Sequence, residues 1–367
     1  MKIAITGGGS AGHVVPALSV AAQLTAQGET DIVYFGRYGS IEHEYAEKAN
    51  IRFRSVPSAG LKRYGSLSNL GMPFTVLRGI GVAWRAMLRE RPDAVFSKGG
   101  YVTVPVGIAA WLCRVPLVIH ESDHSLGLAN RILARMADRV CLSEPAPAKT
   151  ARWLARKTVV TGLPLRYDLA HGQPEQLRAK FGIRPGAEVL LIFCGSSGSA
   201  RINDAVRDQL DKLLGRFAVI HVRGKGNLDP SLARVPGYVQ VEYLHEEMTD
   251  ALWLADLVIG RAGATTLAEL EALDKRTVLI PLPASVSRGD QLVNAEEFAR
   301  RRGRRCYVIQ DDKNLTGGST LVAACLLLAD APVGPGQPDP AMIHRAAGNI
   351  ARETLAAARP RRRRRAR

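Results

Sequence analysis

The sequence has few of the residues that metal sites and disulfide frameworks need. Five cysteines occur among 367 residues, and none belongs to a C-x-x-C pair. We interpret them as reduced packing residues of a cytosolic protein, because scattered single cysteines supply neither a disulfide framework nor a zinc site. The chain also has no D-x-D motif, the paired carboxylates with which many enzymes hold a divalent metal on a diphosphate. We expect neither a metal nor another cofactor.

Long apolar runs and a secretory leader are also missing. The longest apolar candidate is Val102–Ile119. Pro105, Arg114 and Pro116 interrupt it, whereas a membrane-spanning helix needs about 20 consecutive apolar residues. Lys2 leads directly into a strand-like run, so we expect no secretory signal. Apolar residues still make up 46% of the chain, which predicts a globular protein long enough for two domains.

Basic residues outnumber acidic ones. The formal net charge is +16, and residues 359–367 contribute seven arginines. Such a balance favours an anionic partner, which is a nucleic acid, a membrane surface or a phosphorylated substrate. No basic patch is interleaved with aromatic residues, so we expect no specific nucleic-acid partner. We expect residues 358–367 to form a disordered basic tail.

Strand-like and helix-like segments alternate, which predicts parallel sheets with helices on both faces. The predicted strands of the first half are Lys2–Thr6, Asp31–Phe35, Phe53–Val56, Ala94–Ser97, Leu117–His120 and Arg139–Leu142. The second half restarts the pattern with Glu188–Phe193, Val219–Arg223, Val239–Tyr243, Leu257–Gly260 and Val278–Pro281. The sequence therefore predicts an α/β fold of two doubly wound, Rossmann-like domains that face a cleft. We place the first domain at residues 1–163 plus roughly 341–357, and the second at 164–340.

The first predicted strand ends in a glycine turn that is followed by a histidine. Gly7–Gly12 fits the G-x-G-x-x-G spacing, which brings backbone N–H groups close to an anion, and we expect a helix to open near Pro16. A dinucleotide site also needs an acidic residue after the second strand. The chain has Arg37 there, which disfavours NAD and leaves NADP open. His13 is a candidate general base, or else a capping or packing residue.

Polar segments follow other predicted strands, and ligands of such sheets bind at the carboxyl ends of the strands. In the first half these segments are Lys98–Tyr101 and His120–Asp123, with Asn130 opening the next helix. Each is also consistent with an ordinary loop. In the second half, Gly263–Thr266 would form a turn whose N–H groups and helix dipole meet a diphosphate.

Carboxylate and amide side chains follow that second turn. Glu269 lies about one helical turn further, where it is either an acceptor for two ribose hydroxyls or a solvated helix residue. Asp290 and Gln291 open a later predicted helix and are either sugar-hydroxyl partners or helix caps.

Seven segments carry a resemblance that no single motif would establish. They are GGGSAGHVVPAL (7–18), SKGGYVTVP (97–105), HESDHSLGLAN (120–130), TGLPLR (161–166), CGSSGSARIN (194–203), RAGATTLAEL (261–270) and SRGDQLVNAE (287–296). In this order and spacing they resemble the MurG family, from Met1 to about Ile309. The resemblance implies a GT-B fold with an N-terminal acceptor domain and a C-terminal donor domain for UDP-GlcNAc. It also implies transfer of GlcNAc to the C4 hydroxyl of MurNAc in lipid I, with inversion at the anomeric carbon.

Two other functions stay open at this point. One is a MurG-like paralogue that glycosylates another lipid-linked or specialised-metabolite acceptor. The other is an NADP-dependent oxidoreductase built on Gly7–Gly12 and Arg37, which leaves the second-half motifs without a role.

The resemblance implies roles for individual residues. His13 is the expected catalytic base. The expected UDP-GlcNAc ligands are Arg166, Ser196, His245, Arg261, Ala264, Thr265, Thr266, Glu269, Asp290, Gln291 and Asn294. The expected acceptor ligands are Gly9, Ser10, Gly12, Gly99, Gly100, Tyr101, Asp123 and Asn130.

The chain departs from the common family pattern at the acceptor and sugar ends. Ala11 stands in the first turn, and Ser122 and Asp123 stand where many members continue H-E with Q-N. Leu163 replaces the asparagine of G-N-P, and Asp290 replaces a glutamine. These departures leave the UDP end of the pattern intact and leave the exact acceptor and sugar open.

An apolar, basic-rimmed stretch precedes residue 90. Its apolar members are Leu67, Leu70, Met72, Phe74, Leu77, Ile80 and Trp84, and its basic members are Lys62, Arg63, Arg78, Arg85 and Arg89. Such a stretch either lies in an anionic membrane interface or forms the core face of a helix. Because lipid I lies in the inner leaflet, the resemblance implies a peripheral protein at the cytoplasmic face of the cell membrane.

Overall fold

The structure is a computed structural model that describes residues 1–28, 30–59, 71–123, 125–145, 152–195, 197–245, 247–285, 289–312, 315–316, 318–334 and 336–358. The chain divides into two compact units. The first is Met1–Tyr167 together with the segment that begins at Ala341, and the second is Asp168–Pro340. The first unit therefore ends after Tyr167 rather than after Leu163.

The described residues form two sheets in which all neighbouring strands are parallel. The strands of the first unit are β1 (Lys2–Thr6), β2 (Asp31–Gly36), β3 (Arg52–Ser55), β4 (Ala94–Ser97), β5 (Leu117–Glu121), β6 (Arg139–Leu142) and β7 (Thr158–Val160). Those of the second unit are β8 (Val189–Phe193), β9 (Ala218–Val222), β10 (Tyr238–Val241), β11 (Leu257–Gly260), β12 (Arg276–Leu279) and β13 (Cys306–Val308). The orders are β3-β2-β1-β4-β5-β6-β7 and β10-β9-β8-β11-β12-β13. Strand order reverses at β1/β4 and at β8/β11, where sheets of this kind bind ligands.

Helices follow the strands in both units. The first unit has α1 (Ala11–Ala26), α2 (Ile41–Lys48), α3 (Met72–Glu90), α4 (Thr103–Leu112), α5 (Leu128–Leu133) and α6 (Arg152–Ala155). The second has α7 (Pro174–Lys180), α8 (Ala200–Asp208), α9 (Leu210–Leu214), α10 (Met248–Leu254), α11 (Ala264–Ala272), α12 (Asp290–Arg302) and α13 (Thr320–Ala329), and α14 (Pro340–Ala358) returns to the first unit. Within the described ranges, no helix combines the length and the apolar character needed to cross a membrane.

Strand β1 shows why the first sheet needs helices on both faces. Ile3 and Ile5 are fully buried on the face that packs against α1 and α14, whereas Ala4 is buried on the face covered by α3 and α4. Side chains alternate across a strand, so an uninterrupted apolar strand is stable only between two layers. Burial of each isoleucine contributes about 2–3 kcal/mol.

Helix α1 begins at Ala11, so the expectation of a helix opening near Pro16 is wrong. Ser10 is the extended N-cap residue, and its carbonyl accepts from His13 N at 3.1 Å and from Val14 N at 3.2 Å. Pro16 lies inside the helix, where its ring removes one backbone hydrogen bond without ending the helix. His13 therefore belongs to the first turn of α1.

A neutral histidine lies in the core of the second unit. His221 of β9 is fully buried, with Nδ1 2.9 Å from Tyr238 Oη and Nε2 3.0 Å from Asn203 Oδ1. Asn203 Oδ1 only accepts, so Nε2 donates to it and Nδ1 accepts from Tyr238. Burial, followed by the positive charge of Arg223, lowers the pKa of His221 to about 3. The ring thus joins β9, β10 and α8 in its uncharged form.

We expect His221 to weaken the second unit in acid. The unfolded residue takes up a proton below its usual pKa of 6.5, whereas the folded residue does so only near 3. Between these two pKa values, the contribution of His221 to the free energy of unfolding should therefore fall by about 1.4 kcal/mol for each pH unit of acidification. Urea unfolding at pH 7, 6 and 5 measures the slope, which should be shallower in His221→Gln. His171→Gln, at an exposed histidine, is the control; an unaltered slope in His221→Gln would contradict the assignment.

Candidate active site

Two glycine turns of the first unit meet at the carboxyl ends of β1 and β4. Gly8 N–H donates to Gly99 O at 3.2 Å. Gly100 has a φ of 93°, and a side-chain carbon there would lie 2.1 Å from Gly8 O, so only glycine fits. Gly9 contacts Tyr101, whose Cε1 would lie 2.7 Å from a side-chain carbon at Gly9. The structure therefore brings the expected acceptor ligands of these two turns together.

A buried carboxylate that belongs to no sequence motif accepts a hydrogen bond from the first glycine turn. Glu42 of α2 is fully buried. Its Oε2 accepts from Gly9 N at 3.3 Å, and its Oε1 accepts from Arg37 N at 3.2 Å. The amides of Gly8 and Gly9 are thus already bonded within the protein. The part of the turn that can meet an anion is Ser10–Gly12, at the start of α1.

A second buried carboxylate shapes the loop after β5. Glu121 Oε1 accepts from Ser122 N at 2.9 Å and Asp123 N at 3.2 Å. Its Oε2 accepts from Gly127 N at 2.8 Å and Asn130 Nδ2 at 3.0 Å. These four donors hold their own groups in place around the Glu121 carboxylate, because each charge-assisted hydrogen bond is strong and directional. Asp123 and Asn130, two expected acceptor ligands, are therefore positioned by Glu121.

His13 lies beside this loop and carries an uncharged ring. A side-chain carbon at Gly99 would lie 3.6 Å from His13 Nδ1 and 3.5 Å from Asn130 Nδ2, so the three residues are neighbours. Burial, followed by the positive charge of Lys98, lowers the pKa of His13 to about 4. The imidazole is therefore unprotonated near pH 7 and is able to accept a proton.

Five buried polar atoms at this end of the first sheet have no hydrogen-bond partner among the described residues. They are Thr6 Oγ1, Ser97 Oγ, His13 Nδ1, His120 Nδ1 and Asn130 Oδ1. An unpaired buried polar atom costs about 1–3 kcal/mol, and folded proteins carry few of them. Their concentration here indicates a site at which a ligand or ordered water completes the hydrogen bonding.

In the second unit, Arg261 joins three loops at the carboxyl ends of the strands. Its Nη1 donates to Asp311 Oδ2 at 2.7 Å and to Ile280 O at 2.9 Å, and its Nη2 donates to Ser199 Oγ at 2.8 Å. Ser199 is the N-cap residue of α8. Arg261 therefore holds the start of α8 in place, and its expected direct contact with UDP stays a prediction.

Helix α11 begins at Ala264, and its N-terminus suits an anion. Gly263 is an extended N-cap without a side chain, and Ala264, Thr265 and Thr266 follow in the half-buried first turn. That turn contains no acidic residue, so the helix dipole and its N–H groups are not opposed by a carboxylate. Glu269, further along the helix, is 4% exposed, so its interpretation as a solvated residue is wrong.

The expected sugar ligands lie at the start of α12. Asp290 is the first residue of this helix and is half-buried. Gln291 Oε1 accepts from Leu282 N at 3.0 Å. Asn294 is buried, and its Nδ2 donates to Ala262 O at 3.1 Å, which ties α12 to the loop before α11. The structure therefore joins the expected diphosphate and sugar ligands of the second unit.

Three further expected UDP-GlcNAc ligands are Arg166, His245 and Ser196. Arg166 is half-buried and belongs to the first unit, and its expected contact with UDP-GlcNAc stays a prediction. His245 is exposed beyond the edge strand β10, with its ring centroid 4.6 Å from that of Tyr243. Ser196 lies outside the described residues. In the described ranges, no group of three or more His, Cys, Asp or Glu side chains is arranged to hold a metal ion.

Comparison with known proteins assigns the family. The Glycosyltransferase family 28 N-terminal domain matches residues 3–142, and the corresponding C-terminal domain matches residues 189–335. A Clostridium perfringens protein named UDP-N-acetylglucosamine--N-acetylmuramyl-(pentapeptide) pyrophosphoryl-undecaprenol N-acetylglucosamine transferase is 46% identical over 299 residues, 82% of this chain and 83% of that protein. The Lachnospira eligens protein of the same name is 42% identical over 88% of this chain and 89% of its own length. The chain belongs to the MurG family.

Solved structures agree with this assignment at the level of the fold. MurG of Acinetobacter baumannii matches with a TM-score of 0.59 and 24% identity, covering 97% of this chain and 94% of that one. A UDP-GlcNAc 2-epimerase from Neisseria meningitidis matches with a TM-score of 0.66 and 12% identity, covering 97% and 99%. The predicted α/β fold of two Rossmann-like, GT-B domains is confirmed.

One residue in each unit, Glu42 in the first and Asp311 in the second, makes a structural contact that no sequence motif indicated. Glu42 lies in IEHEYAEK, where its spacing does not distinguish it from the solvated glutamates beside it. Asp311 follows β13, a three-residue strand that was not predicted. Once β13 is known, the rule that polar residues at strand ends form sites points to Asp311 directly.

The Arg261–Asp311 pair should be important for stability. Its two side chains are 13% and 7% exposed, so Asp311→Ala leaves a buried guanidinium without its carboxylate. We expect the second unit to lose about 3 kcal/mol. Arg201→Ala removes another partner of the same carboxylate, but Arg201 is 49% exposed and should contribute less than about 1 kcal/mol. Urea unfolding followed by hydrogen exchange of second-unit peptides measures both, and equal losses would refute the distinction.

Proposed function

We propose that the chain is an inverting glycosyltransferase that moves GlcNAc from UDP-GlcNAc to the C4 hydroxyl of MurNAc in lipid I, which yields lipid II for peptidoglycan synthesis. One observation carries the proposal: the neutral His13 lies among unpartnered polar atoms at the switch point of the first sheet. The names of the relatives supply the substrates. The first unit then serves as the acceptor domain and the second as the donor domain.

The donor half of the proposal rests on α11 and α12. The N-terminal N–H groups of α11 at Ala264–Thr266 would bind the diphosphate, since no carboxylate opposes an anion there. Glu269 would accept from the ribose hydroxyls, and the amides of Gln291 and Asn294 would meet the sugar. Each of these amides already uses one polar atom to fix its own orientation, Gln291 Oε1 on Leu282 N and Asn294 Nδ2 on Ala262 O.

The chemical step is a single displacement. The acceptor C4 oxygen attacks the anomeric carbon of GlcNAc while the bond from that carbon to the β-phosphate oxygen breaks. The bonding electron pair leaves with UDP, and His13 takes the proton of the attacking hydroxyl. One displacement inverts the anomeric configuration. The dipole of α11 stabilises the negative charge that develops on UDP.

Two reciprocal variants test this division of roles. His13→Ala should lower kcat by about 10²–10⁴-fold, because the proton acceptor is lost, while UDP affinity stays at the wild-type value. Glu269→Gln keeps the side-chain size but removes the charge, and should weaken UDP binding by about tenfold or more. Calorimetry with UDP and a transfer assay with a lipid I analogue measure the two effects. Full turnover in His13→Ala would remove the histidine from the mechanism.

The transfer assay also decides among the alternative functions. Wild-type protein with UDP-GlcNAc is offered the lipid I analogue, another prenyl-linked sugar and simple sugar acceptors. Transfer to the second or third acceptor in preference to the first would favour a paralogue with a different acceptor. Protein-bound NADPH fluorescence, together with no transfer to any acceptor, would favour the oxidoreductase.

We also propose that helix α3 docks the chain on an anionic membrane, at the cytoplasmic face of the cell membrane. Gly79, Ala83 and Met87 form its buried face. Its outward apolar side chains are Phe74 (76% exposed), Leu77 (65%), Trp84 (42%) and Leu88 (50%). Arg78, Arg85 and Arg89 are exposed beside them. Apolar side chains rimmed by arginines suit the interface of an anionic bilayer. The segment 60–70, with Leu67, Leu70, Lys62 and Arg63, lies outside the described residues.

Vesicle sedimentation tests the docking surface. Wild-type protein should sediment with vesicles that contain anionic lipid, and less so as salt is added, because the arginine contribution is screened. Leu77→Ser should weaken binding by about tenfold, since one apolar side chain no longer enters the interface. Leu327→Ser in α13 of the second unit, at a leucine that is 59% exposed, is the matched control. Equal losses in the two variants, or binding that salt does not affect, would contradict the proposal.

A further inference from the structure

Lys98 is fully buried at the carboxyl end of β4, although the chemical step proposed above does not use it. Its side chain is among the largest that are fully buried. Its backbone N–H donates to Thr6 O at 2.9 Å, which extends the pairing of β4 with β1 by one residue. Gly99 and Gly100 follow with φ values of 106° and 93°. The backbone on both sides is therefore fixed, and so is the direction of the lysine side chain.

The buried ammonium is surrounded by the loop that follows β5. Lys98 Nζ donates a hydrogen bond to Ser122 Oγ. Burial lowers the pKa of Lys98 to about 8, while the carboxylates of Glu121 and Asp123 oppose the shift. The lysine is therefore largely charged at pH 7. A buried charge is costly unless paired, so a lysine that served only to fill space would be better replaced by an apolar residue.

The positive charge of Lys98 also acts on the ring of His13 and lowers its pKa. The titratable and charged groups around this point come from α1, α2, β5 and the loops after β4 and β5, and they are His13, Glu42, Lys98, His120, Glu121 and Asp123. Two of these carboxylates are already occupied by backbone N–H groups, Glu42 by two and Glu121 by three. Lys98 is the group whose positive charge disfavours a second positive charge on His13.

We propose that Lys98 is a positioning residue for the transfer reaction: its ammonium holds the Ser122–Asp123 turn, an expected acceptor contact, in a fixed place beside His13. The same charge has a second effect, because it adds to burial in disfavouring the protonated form of His13. The inference rests on the proposed function, which defines His13 as the base and this turn as part of the acceptor site.

The test is the pH dependence of kcat/KM for the lipid I analogue in Lys98→Met, which keeps the length of the side chain and removes its charge. We expect kcat/KM at pH 7.5 to fall between about tenfold and hundredfold, because the turn is no longer held in place. KM for UDP-GlcNAc should stay at the wild-type value. The acid limb of the profile should move upward by about one pH unit, because His13 loses its positive neighbour.

Lys275→Met is the matched control. Lys275 is a half-buried lysine of the second unit whose ammonium donates to Trp253 O at 2.9 Å and Ala255 O at 2.8 Å. Its loss should reduce stability without moving the acid limb. An unmoved acid limb in Lys98→Met, or the same displacement in Lys275→Met, would overturn the inference.

Ser122→Ala provides a second test of the proposal, one that does not require Lys98→Met to fold. It removes the hydrogen bond but leaves the charge, so kcat/KM should fall without any movement of the acid limb. The double variant should lose no more than Lys98→Met alone, because both changes break one interaction. Additive losses, or wild-type kcat/KM in Ser122→Ala, would count against the inference. Absence of transfer by the wild-type protein would instead refute the proposed function.

Discussion

The site of the first unit depends on the close approach of two glycine turns. Gly8 donates to Gly99, and Gly100 leaves no space for a side chain next to Gly8 O. Only backbones without a Cβ atom approach this closely. The contact therefore fixes the positions of the segments that follow β1 and β4. The contact also sets where two residues of the proposed site lie. His13 belongs to the first turn of the helix that follows one glycine turn, and Lys98 lies directly before the other.

Around that contact, buried charges do the positioning. Glu42 is bonded to the first turn and Glu121 to the loop after β5, each through backbone N–H groups. In the second unit Arg261 does the same for the start of α8, through Ser199. A buried ionic group is stable only when its hydrogen bonds are satisfied, so each of these residues restrains the groups that donate to it or accept from it. At this end of the first sheet, the buried polar atoms without a partner among the described residues belong to neutral side chains, such as those of His13 and Asn130.

Much of this could be anticipated from local patterns. Strand–helix alternation predicted both sheets. The rule that ligands bind at strand ends led to Gly99, Asn130 and Thr265 as candidate ligands, and the family resemblance added Asn294. The start of α1 was misplaced because Pro16 suggests a helix boundary, although a proline is tolerated inside a helix that packing holds in place. Strand β13 was missed because three residues beside an arginine-rich segment give no periodic signal. Asp311, the partner of Arg261, was missed with it.

By itself, the sequence determined the fold class and the residue types at the strand ends, because these depend on hydrophobic periodicity and on glycine spacing along the chain. It also determined the family, through seven ordered motifs that resemble those of MurG. Only the tertiary structure decided which polar groups are engaged and which remain available. Glu42 looks like a solvated helix residue until α2 packs it against Gly9, and Lys98 looks like a loop lysine until β4 and β5 enclose it. The physical reason is that desolvation and pairing of charges depend on neighbours distant in sequence, which no local pattern records.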